Sequence, residues 1–341
     1  MIRPTRRRRT VLGVFAASAA LTLAACAADP ATTGGDDNAN DPAASADTTY
    51  PMTISNCGAD LVIDSQPETV FAIGTSAIAL LDAAGASDRI VARAGEFGAD
   101  LPAGLYDPPT DVPVIDPFDP TIENIVGVDP DVIVGYGLFS ASDDDVAAAG
   151  IPNVIIDGEC SHDAALTERT DFEAIFSDVE RLADIFGTRT IAEERLAELR
   201  SEVESLTSSA SADSAGESAV VVYYFSENAS MSARGGQGIA HEVLRIAGFD
   251  NVYGDEPSVY LEASIETLLD ADPHTIVIAY GLFGETFEQA RDLLLAEPGA
   301  SELTAVTEGR IVGVAANDLS PDPGAVRGLR TVLESTAVPA A

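Results

Sequence analysis

The chain of 341 residues contains no lysine and no tryptophan, and it is poor in cysteine and histidine, with three of each. Without lysine, no Gly-x-x-x-x-Gly-Lys phosphate loop is possible. All 18 basic residues are arginines, set against 56 acids, for a formal charge of −38. Five of those arginines lie within the first nine residues; without them the remaining 13 face the same 56 acids, a net of −43. So acidic a surface repels phosphate backbones and argues against nucleic-acid binding. After the N-terminal segment there is no run of 18 apolar residues, so the body has no membrane-spanning helix signal. Disorder is excluded as well, because hydrophobic residues make up 46% of the chain. The length suits roughly two domains of ~150 residues.

The N-terminus reads as an export signal over residues 1–25. Arg6 to Arg9 form a basic start, and Val11 to Ala25 follow as a small apolar stretch, shorter than the ~20 residues a bilayer span requires. It ends in Leu23-Ala24-Ala25-Cys26, which resembles a bacterial lipobox: small residues admit the signal peptidase, and the Cys26 thiol accepts the lipid. The alternative is an ordinary secretory signal that contains a cysteine. Arg8-Arg9-Thr10-Val11-Leu12 also resembles a twin-arginine signal, so the export route stays open. Residues 26–49 hold almost only Ala, Asp, Thr, Gly and Asn. They cannot bury enough surface to offset ordering entropy, and they read as a flexible tether between lipid and body. The two remaining cysteines, Cys57 and Cys160, suit a disulfide in an exported chain, with two buried thiols as the alternative. Closing a loop of 103 residues stabilises by up to ~4.7 kcal/mol in the chain-entropy view.

The body alternates short apolar runs with helical spacing. Val70 to Ile73, Arg89 to Ala92, Asp131 to Gly135 and Asn153 to Ile156 read as strands, with helices at Ser76 to Ala84 and Val146 to Ala149. This alternation argues an α/β lobe with a parallel sheet over residues 50–165. From Asp171 to Leu206 apolar residues recur every three or four positions with no strand signal. The spacing predicts one connecting helix within residues 166–210, on the order of 50 Å long, with a bend at Gly187-Thr188. A second α/β lobe follows over 217–336, with strands at Ala219 to Tyr224, Thr275 to Ala279 and Arg310 to Val314.

The two lobes carry a repeat. Phe118-Asp119-Pro120-Thr121-Ile122-Glu123 leads to Asp129-Pro130 and then to Tyr136-Gly137-Leu138-Phe139. Tyr260-Leu261-Glu262-Ala263-Ser264-Ile265-Glu266 leads to Asp272-Pro273 and then to Tyr280-Gly281-Leu282-Phe283. From glutamate to proline is the same step in both. Each copy predicts a short helix, an Asp-Pro turn and a strand ending in tyrosine. Lobes built on one plan frame a cleft at the carboxyl ends of their strands.

In this order around one helix, the chain resembles the substrate-binding lipoproteins of ABC importers, in the helix-linked class that serves ferric siderophores, haem and cobalamin. The supporting markers are Tyr50-Pro51-Met52-Thr53-Ile54 with Asn56-Cys57-Gly58, Pro67-Glu68-Thr69-Val70, Asp88-Arg89-Ile90-Val91, and Thr121-Ile122-Glu123 to Pro130-Asp131-Val132-Ile133. The resemblance covers about residues 50–335. It implies two α/β lobes joined by a long helix, a monomer on the outer face of the cell membrane, and delivery of a small ligand to an ABC permease and its ATPase. A ferric siderophore-type chelate is the expected ligand, with iron carried inside it and no intrinsic cofactor. Cobalamin and haem are the alternatives, and a lipid-anchored enzyme or adhesion module is the contrasting class.

The resemblance also implies roles for residues. Glu123 and Glu266 are expected to meet permease arginines; each alone also fits a first-turn glutamate favoured by a helix dipole. Phe118, Tyr136, Tyr260 and Tyr280 are expected to line the cleft, flat apolar rings with polar tips for a bulky ligand. From its own setting, a glycine-rich loop after a strand in a chain poor in bases, Arg234 is expected to meet an anionic ligand, and Arg93 is a weaker candidate; a surface salt bridge to one of the many acids is the alternative for both. His162, His241 and His274 lack metal-ligand spacing, so no dedicated zinc or manganese site is expected. An axial Tyr136 or Tyr280 keeps haem open. No Ser/His/Asp arrangement stands out.

Overall fold

The computed structural model of the chain describes residues 48–162, 169–210, 216–224, 226 and 230–336. The expected signal segment, Cys26 and the expected tether up to Asp47 lie outside them. Among the described residues, no helix is long and apolar enough to cross a membrane.

The body opens with an antiparallel hairpin, β1 (Met52–Asn56) and β2 (Ala59–Ile63), closed by Cys57-Gly58. Both turn residues take positive φ, 48° and 79°, as a two-residue hairpin demands. The first lobe then runs β3 (Val70–Ile73), α1 (Thr75–Ala83), β4 (Ile90–Ala94), β5 (Val114–Asp116), α2 (Ile122–Val128), β6 (Val132–Gly135), α3 (Asp143–Ala148) and β7 (Asn153–Ile155). Its five strands are all parallel, in the order β5-β4-β3-β6-β7. Strand order reverses between β3 and β6, which places a crevice at their carboxyl ends. A turn after β7 brings Cys160 to Cys57, with Cα atoms 5.4 Å apart and the sulfurs at bonding distance.

The predicted connector is two helices rather than one continuous rod: α4 (Phe172–Phe186) and α5 (Arg189–Ser209). Gly187 ends α4 in the left-handed conformation, and the chain folds back. Arg200 of α5 therefore reaches Glu173 and Glu180 of α4, at 3.3 and 3.0 Å. The helical stripe was readable because both helices share the 3.6-residue period; the reversal rests on one glycine. The 21-residue α5 is the long helix that leads into the second lobe.

The second lobe comprises β8 (Glu217–Tyr223), β9 (Ser232–Arg234), α6 (Ile239–Ile246), β10 (Phe249–Asn251), β11 (Tyr260–Glu262), α7 (Ile265–Ala271), β12 (Thr275–Tyr280), α8 (Phe287–Ala296), α9 (Thr304–Thr307), β13 (Ile311–Ala315) and α10 (Ala325–Thr336). Its sheet runs β11-β9-β8-β12-β13, with β10 beside β8. Unlike the first, it is mixed: β9 is antiparallel to both β8 and β11. Residues 224–231 are too few for the crossover helix that a parallel pair needs.

Successive strand residues face opposite ways. Ala219, Val221 and Tyr223 of β8 join a core that also takes in Val70, Leu80, Phe176 and Leu329, so one apolar core runs through both lobes and the helical link. Val220 and Val222 face a second cluster with Ile276, Ile278 and Leu294.

Candidate ligand cleft

The carboxyl ends of the central strands meet at a cleft between the lobes with ≈ 850 Å³ of empty space, counting its open mouth. On the first lobe, β3 ends at Ile73; the next residue, Gly74, donates its N–H to Ala94 O at 2.8 Å, and α1 begins at Thr75 with its first turn at the cleft wall. Tyr136 follows β6 and is 8% exposed, its hydroxyl donating to Phe118 O at 3.3 Å. A Cβ on Gly95 would lie 2.2 Å from that hydroxyl, so glycine is what lets the end of β4 close on the ring. Burial first, then the charges of Asp119, Glu159 and Asp116, push the Tyr136 phenol well above its ordinary pKa. Phe97 and Phe139 complete this wall.

Arg234 dominates the opposite wall. It ends β9 and is 7% exposed, with its guanidinium 3.8 Å from the Tyr223 ring centre and 3.9 Å from that of Tyr260. Strand register explains the sandwich: Tyr260 pairs with Arg234, and Tyr223 pairs with Ser232, two residues away on the same face. Nη1 of Arg234 has no hydrogen-bond partner. Glu159, in the turn after β7, also lines the cleft. Desolvation pushes its pKa up to about 7, against the pull of Arg234. Its charge is in turn the first cause of the raised pKa of Tyr260.

Of the five residues expected in the cleft, Tyr136, Arg234 and Tyr260 come together there. Phe118 sits beyond the lining, more than half exposed, edge-on to Phe97 at 5.9 Å. Tyr280 is not part of the lining. It continues the face of Ile276 and Ile278 and packs against Phe287, 5.9 Å between centres. Arg93 is a buried tie, bonded to Glu96 at 3.1 Å and to Val112 O, outside the lining.

Most of the other lining residues escaped the sequence reading, among them Tyr223, Phe97, Phe139, Phe283 and Glu159. Phe139 and Phe283 stand at the ends of the repeated Tyr-Gly-Leu-Phe, where the repeat itself was the available signal. Phe97 lies between Gly95 and Gly98, a loop mark. Glu159 carried no signal beyond its neighbour Cys160.

Glu123 and Glu266 are exposed in the first turns of α2 and α7. The two helices match closely, each seven residues long, with capping boxes (Thr121 with Asn124, Ser264 with Thr267) and a left-handed aspartate cap, Asp129 or Asp272. Of the histidines, His241 lies 3.4 Å from Asn251 and His274 3.0 Å from Glu217; the His162 side chain lies outside the described residues. Among the described residues no group of three or more His, Cys, Asp or Glu is placed to hold a metal ion.

Residues 70–317 match the periplasmic binding protein family. The chain belongs to it. The fold agrees with solved members. An ABC-type Fe3+-hydroxamate transport protein from Saccharomonospora viridis superposes with a TM-score of 0.74 at 26% identity, covering 85% of this chain and 100% of that one. A periplasmic haem-binding protein from Roseiflexus gives 0.62 at 16%, covering 79% and 98%. A periplasmic vitamin B12-binding protein from Vibrio cholerae gives 0.57 at 18%, covering 80% and 97%. A comparison with curated proteins finds no match. This periplasmic binding protein is therefore of the helix-linked class, works outside the cytoplasm, is not an enzyme, and delivers a small molecule to an ABC permease.

Proposed function

We propose that this binding protein captures a ferric siderophore-type chelate and hands it to its permease while tethered to the membrane by a lipid on Cys26. The observation that carries the ligand class is the cleft wall, a buried arginine held between two tyrosine rings and facing phenylalanines across the gap. A ferric chelate presents metal-bound oxygens that accept from a guanidinium, and an organic backbone that suits aromatic walls. The Saccharomonospora viridis protein, described as part of an Fe3+-hydroxamate system, lends support at 26% identity. Of the tyrosines considered for axial ligation of haem, Tyr136 is bonded to Phe118 O and Tyr280 lies outside the lining, which weighs against haem. The Leu23-Ala24-Ala25-Cys26 sequence supports the lipid and the signal peptide, and the Cys57–Cys160 approach supports a disulfide. The paired surface glutamates Glu123 and Glu266 are read as the permease contacts.

Protein purified from its own host provides the test. Native mass spectrometry is expected to show a lipid on Cys26, no alkylatable thiol, and a bound iron chelate. Titration of the apo-protein by tyrosine fluorescence, which no tryptophan obscures, is expected to show tight binding of ferric chelates. Binding of haem or cobalamin in their place would overturn the ligand reading.

A further inference from the structure

Building on the ferric-chelate reading, we infer that Glu159 is a specificity-determining residue that tunes the cleft to uncharged chelates. Among the described residues, the cleft lining contains one cation, Arg234, and one carboxylic acid, Glu159. They come from different lobes, Arg234 from the end of β9 and Glu159 from the turn after β7, so their opposition is a property of the assembled cleft. Arg234 is more than nine-tenths buried and presents what remains exposed of it to the cleft, with its guanidinium stacked between two rings. A guanidinium donor that lines a desolvated cleft is costly to leave unmet, and a ligand oxygen is the natural acceptor for it. A bare arginine would make the cleft a receptor for anions. Above about pH 7, where the Glu159 carboxyl is ionised, it balances that charge, so an anionic chelate meets attraction and repulsion together, and such a chelate also works against a body near −43. An uncharged chelate leaves the Arg234–Glu159 balance intact and still supplies metal-bound oxygens to the Arg234 guanidinium. The remaining lining is largely apolar and aromatic (Ile73, Phe97, Phe139, Leu282, Phe283), which penalises net charge further. Arg234 alone suggested an anionic ligand; with Glu159 opposite, the preference turns to a neutral one.

The geometry of this segment supports a dedicated role. Cys160, the next residue, is drawn to Cys57, and Cys57 sits in the turn of the β1–β2 hairpin. The backbone carrying Glu159 is therefore anchored to an element outside the β5-β4-β3-β6-β7 sheet. A carboxyl held this way has less freedom to swing from the cleft when a charged ligand arrives.

Two probes of known charge make the test: an uncharged ferric trihydroxamate and a trianionic ferric tris-catecholate, each titrated against the apo-protein at fixed salt and at about pH 8, above the value of about 7 to which burial pushes Glu159. The unaltered protein is expected to bind the uncharged probe at least about 100-fold more tightly. Glu159→Gln, of the same size without the charge, is expected to narrow that ratio at least about tenfold, chiefly by improving the trianionic probe. Glu159→Asp keeps the charge and is expected to keep the preference. Because both proteins meet the same two probes, differences in probe size cancel in the change of the ratio, and a merely structural loss would weaken both together. Equal or tighter binding of the trianion by the unaltered protein overturns the inference without any variant, and so does an unchanged ratio in Glu159→Gln. Failure of both chelates to bind would instead overturn the ferric-chelate reading.

Discussion

Asp322 shows how much one side chain can carry in this fold. It is fully buried where the lobes meet, accepting from Ser76 Oγ of α1 at 2.9 Å and from its own lobe's Gly324 N–H at 2.7 Å. Burial pushes its pKa up to about 8, against the pull of those two donors. The folded state thus holds this proton more tightly than the unfolded chain, where an aspartate titrates near ~3.9. The resulting stability is fully present below about pH 4 and is lost as pH rises toward and through 8. Glu159 and Asp178, both raised to about 7, act in the same direction. Asp322→Asn mimics the protonated acid, since Nδ2 can donate to Ser76 Oγ while the amide oxygen accepts from Gly324. Urea unfolding between about pH 5 and pH 8.5 is expected to show the wild type losing stability more steeply than Asp322→Asn, by at most ~1.4 kcal/mol per pH unit. Parallel profiles would mean that Asp322 is already ionised in the fold.

At the scale of elements, what was legible followed from local pattern. The repeat around Glu123 and Glu266 predicted two matched short helices, because a Thr or Ser cap and an Asp-Pro stop are local chemistry. Strand existence was likewise readable from apolar runs. The reversal between α4 and α5 was not, since a helical stripe has the same period whether or not it folds back at Gly187. The antiparallel β9 was hidden in a segment too short to carry its own pattern. Tyr280 was placed at its strand end correctly, but the face it takes depends on alternation with Ile276 and Ile278. The Arg234 sandwich needs the register of three strands, which no stretch of sequence displays. The matched helices also carry a test. Glu123→Ala and Glu266→Ala each remove a first-turn carboxylate worth ~0.3–1 kcal/mol, too little to unfold the protein. Chelate affinity is expected to stay within about twofold, whereas uptake by cells carrying the variants is expected to fall, most in the double variant. Uptake at the wild-type rate in the double variant would end the docking role.

At the scale of the molecule, the lobes are bound together more firmly than a simple hinge would allow. They share one core, and polar ties cross between them: Ser76 to Asp322, Thr75 Oγ1 to Asn317 Oδ1 at 3.0 Å, and Asn317 Nδ2 to Asp100 O at 3.1 Å. Wide separation would break these ties and expose core, so ligand entry calls for a smaller movement. The cleft mouth offers one. Phe97 and Phe283 meet across it, centres 5.8 Å apart at 63°, each in a glycine-flanked loop. Gly98 and Gly284 take φ of 94° and 82°, and Gly281 takes 89°, a backbone range glycine enters freely. An edge-to-face pair is worth ~0.5–1.5 kcal/mol beyond its area, enough to keep the mouth mostly shut and cheap enough to open thermally. If the pair gates entry, Phe283→Ala raises the open population by that amount, and association quickens by about two- to tenfold. Dissociation is also expected to quicken, because the ring lines the cleft as well as meeting Phe97. Stopped-flow quenching of tyrosine fluorescence by a ferric chelate separates the two rates. A ring that serves only as a ligand contact would change dissociation alone, so an unchanged association rate in Phe283→Ala would rule out the gate and leave the cleft open to its ligand at all times.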